Sequence, residues 1–353
     1  MKYKFLNDYS EGCHPLILES LVKFNLSQQA GYGNDDLSVR AVSKIKAACE
    51  NEAADVHLVA GGTLANLLVI GALLKPYESV ISAESGHINT HEAGAIEATG
   101  HKIEYVKTSN GKLTVSDITR LLMKFPKYHT VKPRLVYISN TTELGTVYTK
   151  EELEDIYRYC SKNDLLVFID GARLPMAVAA GNASLAEISR LCDVFYIGGT
   201  KCGALLGEAV VITNPALQTD FKYNVKQRGA LLAKGRVLGA QFDALFTDDL
   251  IFQLARHANA MAAKMAAAFR ELGYHFLCPP ESNQVFPVLK FSQIKKLAQK
   301  YDFFEWEELD HEHAALRLVT SWATPEEAVD RFLKDLKAVT KAVRPLNSSG
   351  DTL

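Results

Sequence analysis

Three stretches of this chain put chemically capable residues directly behind apolar runs. In "LVAGGTLANLL", Gly61, Gly62 and Thr63 separate a strand-like run from a helix-like one. Free N–H groups and the positive end of a helix dipole at such a turn suit an anion such as phosphate. "LLVFIDGARLP" ends an apolar strand in Asp170, with Arg173 close behind. A carboxylate at a buried edge is costly unless a cation or strong donor meets it. An Asp170–Arg173 ion pair that merely caps a helix is the plainer reading. "DVFYIGGTKCGA" delivers Gly198, Gly199, Thr200 and Lys201. A lysine at a strand end is usually a solvated charge, and only its surroundings can argue otherwise.

Ligands of open parallel α/β sheets bind beyond the carboxyl ends of the strands. Asp170 and Lys201 are 31 positions apart, the length of one β-α-β unit, which predicts neighbouring strands and side chains on one edge. Gly198 and Gly199 then let the backbone turn beside a ligand. A phosphate cradle, a buried acid and a lysine on one rim are what pyridoxal 5′-phosphate requires: an amine for its aldehyde, a carboxylate for its pyridine nitrogen and donors for its phosphate. The glycine turn is neither a P-loop nor a G-x-G-x-x-G fingerprint, which argues against a nucleotide-binding dehydrogenase.

The elements that must position these residues alternate along the chain. "DVHLVA", "SVISA", "KIEYV", "RLVYIS", "LLVFID", "DVFYI" and "EAVVIT" read as strands, and "LSVRAVSKIKAACE", "TLANLLVIGALL" and "TKEELEDIYRYCSKN" as helices between them. Continuous apolar strands imply a sheet covered on both faces, so the class is α/β with a mainly parallel sheet. An N-terminal segment (1–30) precedes a large domain over 31–250. A long Ala-rich helix ending near Gly273, strands "QVFPVLK" and "ALRLVTSW", and a last helix predict a small α+β domain over 251–345. The polar tail 346–353 is expected to be disordered.

Composition narrows the partners. Of 353 residues 48% are apolar and the net charge is −2, with no basic run, so neither nucleic acid nor a membrane surface is expected. Six scattered cysteines form no disulfide framework or metal spacing. With no signal-like start and no long apolar span, the expectation is a cytoplasmic protein without a metal, acting on a small molecule.

The order of its motifs resembles the threonine aldolases and related β-eliminating lyases of the aspartate-aminotransferase fold, the type I fold of pyridoxal phosphate enzymes. The carriers are "YGNDD" (32–36), "AGGTLAN" (60–66), "ESGHINTHEAGA" (84–95), "GKLT" (111–114), "TELGTVY" (142–148), "DGARL" (170–174), "GGTKCGA" (198–204) and "RLVTSW" (317–322). The resemblance implies Lys201 as the Schiff-base lysine, Asp170 as the pyridine partner, Arg173 beside the cofactor's phenolic oxygen, and His87 stacked on its ring. It makes Gly61, Gly62 and Thr63 the phosphate turn and Arg317 the grip on the substrate carboxylate. Asp8 and Ser10 lie where the family's N-terminal segment enters the site, and His129 resembles a histidine that moves protons near the substrate hydroxyl. The resemblance also implies a homodimer or homotetramer in which Lys226 and Arg228 are cross-subunit phosphate contacts.

Two departures stand out. Gly61 replaces the serine usual at the phosphate turn, so backbone N–H groups must do more of the binding. The usual Ser-Asp-Thr near the N-terminus is here Asn7, Asp8 and Tyr9, with Ser10 one step on. The resemblance implies retro-aldol cleavage of threonine or allo-threonine to glycine and acetaldehyde, with His87, His129 or a water as base. Other reactions of the same cofactor (β-elimination, transamination or racemisation) and a non-catalytic scaffold are the alternatives.

Overall fold

The computed structural model describes residues 2–125 and 128–341; the tail expected at 346–353 lies outside the described residues. Its centre is a seven-stranded sheet in the spatial order Asp55–Val59, Glu208–Ile212, Val194–Gly198, Leu166–Asp170, Lys132–Ser139, Glu78–Ala83 and Ile103–Val106. Glu208–Ile212 runs antiparallel to both of its neighbours, and the other adjacent pairs are parallel. The alternation of side chains divides the core in two. Val167, Ile169, Phe195 and Ile197 pack on one face, with Ile156 and Cys160 of the helix Lys150–Lys162. Leu166, Phe168, Val194 and Tyr196 pack on the other, with Leu68 and Val69 of the helix Gly62–Leu73. That helix is apolar nearly all round because it is buried against the sheet.

A further core lies around Met265, Phe269, Leu316 and Phe332, built on the helices Leu250–Glu271 and Glu326–Lys341. Burying one such side chain contributes about 1.5–3 kcal/mol. Gly273, at φ +81°, follows the first of these helices in the left-handed region that favours glycine. The run "QVFPVLK" is divided into Gln284–Val285 and Val288–Lys290, yet both pieces pair with His313–Val319 in one register. The break falls where Pro287 has no N–H to give, while its carbonyl still accepts from Leu316 N–H at 2.9 Å. The N-terminal residues join this part of the chain: Tyr3–Lys4 pairs with Tyr301–Asp302, and Phe5 enters the core around Phe269.

Candidate active site

A cavity of about 470 Å³ opens where the parallel strands end, walled by Gly61, Gly62, Thr63, His87, Arg173 and Lys201 around the main sheet and by Trp306 and Arg317 from the strands Phe304–Glu308 and His313–Val319. The strands carrying Asp170 and Lys201 are hydrogen-bonded neighbours, as the spacing predicts. The turns behind them press together. A Cβ on Gly171 would meet the Tyr196 carbonyl oxygen, and one on Gly198 the Ala172 carbonyl oxygen, at separations no side chain tolerates. A Cβ on Gly199 would likewise come within 2.7 Å of the Gly207 carbonyl oxygen. Gly198 and Gly199 are therefore required by protein backbone packed against them.

Asp170 is 3% exposed and is not paired with Arg173. Tyr137 and Tyr196 donate their hydroxyls to its two oxygens at 2.5 Å each, Asn66 Nδ2 donates at 3.2 Å, and Ala172 N–H at 3.0 Å. Burial alone would raise its pKa, but the nearby His87 ring, the two tyrosine hydroxyls and the Ala172 N–H outweigh it and hold the carboxyl below the ordinary range. Asn66 also donates to Glu92 at 2.8 Å, whose carboxyl burial pushes up to about 7.

Arg173 takes a different partner: Asp8, fully buried, accepts from its Nε at 2.6 Å and Nη2 at 3.0 Å. The N-terminal segment thus enters the site through Asp8. Ser10 does not follow it. Asn7 Oδ1 accepts from both Tyr9 N–H and the Ser10 hydroxyl at 3.0 Å, and this local turn leaves Ser10 exposed and outside the cavity wall.

Among the described residues no ion pair holds Lys201. Burial lowers its pKa and the Arg173 guanidinium adds to the effect, against Asp8, Asp170 and Glu208. Arg317 also lacks a carboxylate partner among the described residues. Its Nε and Nη2 donate to Gln284 Oε1 at 3.1 and 2.8 Å, and its guanidinium lies 5.4 Å from the Trp306 ring centre. Burial, with Arg173 nearby, lowers it to about 10. An unneutralised, planar donor set on a cavity wall suits a ligand carboxylate.

His87 opens the short helix His87–Thr90, its backbone N–H donating to Glu143 at 2.9 Å. Burial takes its imidazole down to about 4, Asp170 opposing and Lys201 assisting. His91 stacks on it, with ring centres 5.3 Å apart and planes 3° from parallel, and lies on the cavity wall. Burial, Arg317 and Lys201 lower His91 as well. His129 sits elsewhere, on an exposed turn with its ring 4.6 Å from Tyr128 and outside the cavity wall. In that position it reaches no residue of the cavity in its own chain. Lys226 lies over the Tyr32 ring at 4.8 Å, and Arg228 packs against Gly71, so neither reaches the cavity of its own chain.

Sequence reasoning missed several residues of the site. Tyr137 and Tyr196 stand on strands that flank Asp170, and a buried tyrosine hydroxyl needs a partner; that was the available signal. His91 lies four residues after His87, one helical turn on. Trp306 lies on the strand Phe304–Glu308, whose alternation is broken by a bulge between Glu305 and Glu307. Glu208 and Glu143 are the remaining acids, and burial raises them to about 8 and about 7.

Residues 9–292 match the family model for beta-eliminating lyases. The chain is similar to the low specificity L-threonine aldolase of Pseudomonas aeruginosa, with 34% identity over 345 residues covering 96% of this chain and 98% of the other. Among solved structures, that of Leishmania major threonine aldolase is similar at 46% identity and a TM-score of 0.94, covering 96% of this chain and 99% of the other. The aromatic aminotransferase of Pyrococcus horikoshii shares the fold at 18% identity and a TM-score of 0.70, over 97% and 96%.

Proposed function

The chain belongs to the β-eliminating lyase family, and on that premise we propose that it uses pyridoxal 5′-phosphate to split a β-hydroxy-α-amino acid between Cα and Cβ, converting threonine or allo-threonine to glycine and acetaldehyde. The observation that carries the reading is the meeting, in one cavity, of an unpaired Lys201, an ionised Asp170 on the adjacent strand and the turn at Gly61–Thr63.

The residues present fit the cofactor. Asp170, buried yet kept ionised by the nearby His87 ring and the Tyr137 and Tyr196 hydroxyls, suits a protonated pyridine nitrogen. The helix Gly62–Leu73 starts without a side-chain cap, leaving its first N–H groups for a phosphate. A Cβ at Gly62 would come within 3.2 Å of the Tyr196 hydroxyl, so that turn is kept clear. When bound, the cofactor supplies a ring that accepts the electron pair released from the Cα–Cβ bond.

The chain's own residues do the rest. Lys201, its basicity lowered, offers an amine to the cofactor's aldehyde. Arg317 takes the substrate carboxylate, and Arg173, fixed by Asp8, adds positive charge to the cavity wall. His87, on the cavity wall and stacked on His91, is a neutral ring near neutral pH. His91 removes the proton of the substrate hydroxyl; it stands on the cavity wall and its lowered pKa keeps it unprotonated near neutral pH. We extend the reading to a cytoplasmic homodimer or homotetramer in which Lys226 and Arg228 serve the neighbouring phosphate site. The exposed Leu16, Leu18, Val22 and Leu26 support a covered face, and six free cysteines suit a reducing compartment.

The deciding experiment incubates the full chain and its cofactor with L-threonine and L-allo-threonine and follows acetaldehyde with a coupled reductase. Acetaldehyde release with equimolar glycine is expected. Pyruvate from serine or a cysteine conjugate, with no acetaldehyde from threonine, would move the assignment to β-elimination.

A further inference from the structure

Glu208 is a buried carboxyl to which the reaction above gives no part. It begins the single antiparallel strand of the main sheet, where it pairs with Val59 on one side and Gly198 on the other. Those two strands run directly into the turn Gly61–Thr63 and the turn carrying Lys201. Glu208 therefore stands between them, 4% exposed and on the cavity wall.

Its partners are neutral. Oε2 accepts from Gly199 N–H at 3.0 Å and Oε1 from the Thr200 hydroxyl at 2.9 Å. Thr200 Oγ1 in turn accepts from Gly207 N–H at 3.0 Å. A hydroxyl has one proton to give and two lone pairs to fill. With Glu208 ionised, the single Thr200 proton is committed to the carboxylate. With Glu208 protonated, Thr200 Oγ1 can accept from both Gly207 and Glu208, which leaves its own proton to the cavity whose wall it forms or to the Gly207 carbonyl oxygen, 3.5 Å away and already accepting from Gly199 and Thr200 N–H. Thr63 is the other threonine on the cavity wall. Gly61 contributes no hydroxyl although a Cβ there would meet nothing within 4 Å.

We propose that Glu208 is a positioning residue that turns the Thr200 hydroxyl toward the cofactor's phosphate when it carries a proton, and withdraws that hydroxyl when it is ionised. The inference rests on the reading that the phosphate of pyridoxal 5′-phosphate occupies the Gly61–Thr63 turn. The groups that face Glu208 are Lys201 and Cys202 on the following turn, Tyr196 on one flanking strand and Asp170 one strand further; Lys201 is the one cation among them. Burial outweighs Thr200, Lys201 and Gly199 and raises the acid to about 8. Phosphate affinity then has a definite sign: it is full below that pH and falls as pH rises through it.

The test uses the full chain freed of cofactor and two fluorescent probes that form no bond with Lys201, pyridoxamine 5′-phosphate and pyridoxamine. The ratio of their Kd values isolates the phosphate, which is already a dianion above about pH 7. In the wild type this ratio should shrink roughly tenfold from about pH 7 to about pH 9.5. In Glu208→Gln the amide donates to Thr200 at every pH, so the preference for the phosphorylated probe should persist and be flat. In Thr200→Val the preference should be weaker and flat. A flat wild-type ratio, or an unchanged fall in either variant, overturns the proposal. The wild-type and Thr200→Val curves decide it if Glu208→Gln does not fold. Failure of the wild type to bind either probe removes the cofactor reading itself.

Discussion

Asp8 and Arg173, 165 positions apart, form a two-point ion pair inside the protein, Nε to Oδ2 at 2.6 Å and Nη2 to Oδ1 at 3.0 Å, and Asn283 Nδ2 donates to the same carboxylate at 2.9 Å. Burial opposes the charge on Asp8, but Arg173, Lys201 and Asn283 prevail and hold its pKa below the ordinary value. Removing one partner of such a pair strands the other, so Asp8→Asn should lose about 3–5 kcal/mol in urea unfolding at neutral pH. A depressed carboxyl contributes stability above its unfolded pKa and loses it as pH falls through the folded one. Wild type and variant should therefore converge in acid, below the usual aspartate range. A variant within about 1 kcal/mol of wild type at neutral pH would show that Arg173 finds another partner.

Asp170→Asn keeps the shape of the site and removes the charge. The Tyr137 and Tyr196 hydroxyls, now facing an amide, can be satisfied at the oxygen alone. With no anion at that point, electron acceptance loses its stabilising partner, and kcat should fall on the order of 10²–10³-fold, the usual cost of deleting one preorganised electrostatic contact. Turnover within a few fold of wild type would remove Asp170 from the mechanism.

The strand ends were legible because uninterrupted apolar runs closed by Asp170 and by Gly198-Gly199-Thr200-Lys201 break their own pattern abruptly, and the distance between them fits one β-α-β unit. Partner choice was not legible. Arg173 lies three residues from Asp170 yet binds Asp8, because the chain returns to the site from its far N-terminal end. Glu208 carried the same signal as Asp170, a carboxylate at the edge of an apolar strand. It begins its strand, however, and only the antiparallel direction of Glu208–Ile212 brings it to the catalytic rim. His129 shows the opposite case, a matching motif position that the fold leaves on an exposed turn.

Arg317→Lys should act on binding more than on chemistry. The guanidinium is held edge-on by Gln284 and lies over Trp306, an arrangement a lysine point charge cannot reproduce. A charged hydrogen bond is worth about 1.5–3 kcal/mol, so KM for threonine should rise roughly tenfold to a hundredfold with a smaller change in kcat. Equal losses in kcat and kcat/KM would place Arg317 in the transition state instead.

His91→Asn and His129→Asn separate the candidate bases. His91 lies on the cavity wall, stacked on His87, whereas His129 is exposed outside it. Loss of a general base typically lowers the rate about 10²–10⁴-fold, and that loss is expected for His91→Asn with L-threonine, while His129→Asn retains turnover. The pH profile gives an independent reading. Burial, then Arg317 and Lys201, hold His91 below the ordinary histidine value; a base works unprotonated, so kcat should stay level through neutral pH and fall only on the acid side of that value. The acid limb should vanish in His91→Asn. An acid limb that survives in His91→Asn and disappears in His129→Asn would assign the base to His129, brought to the cavity by a neighbouring subunit.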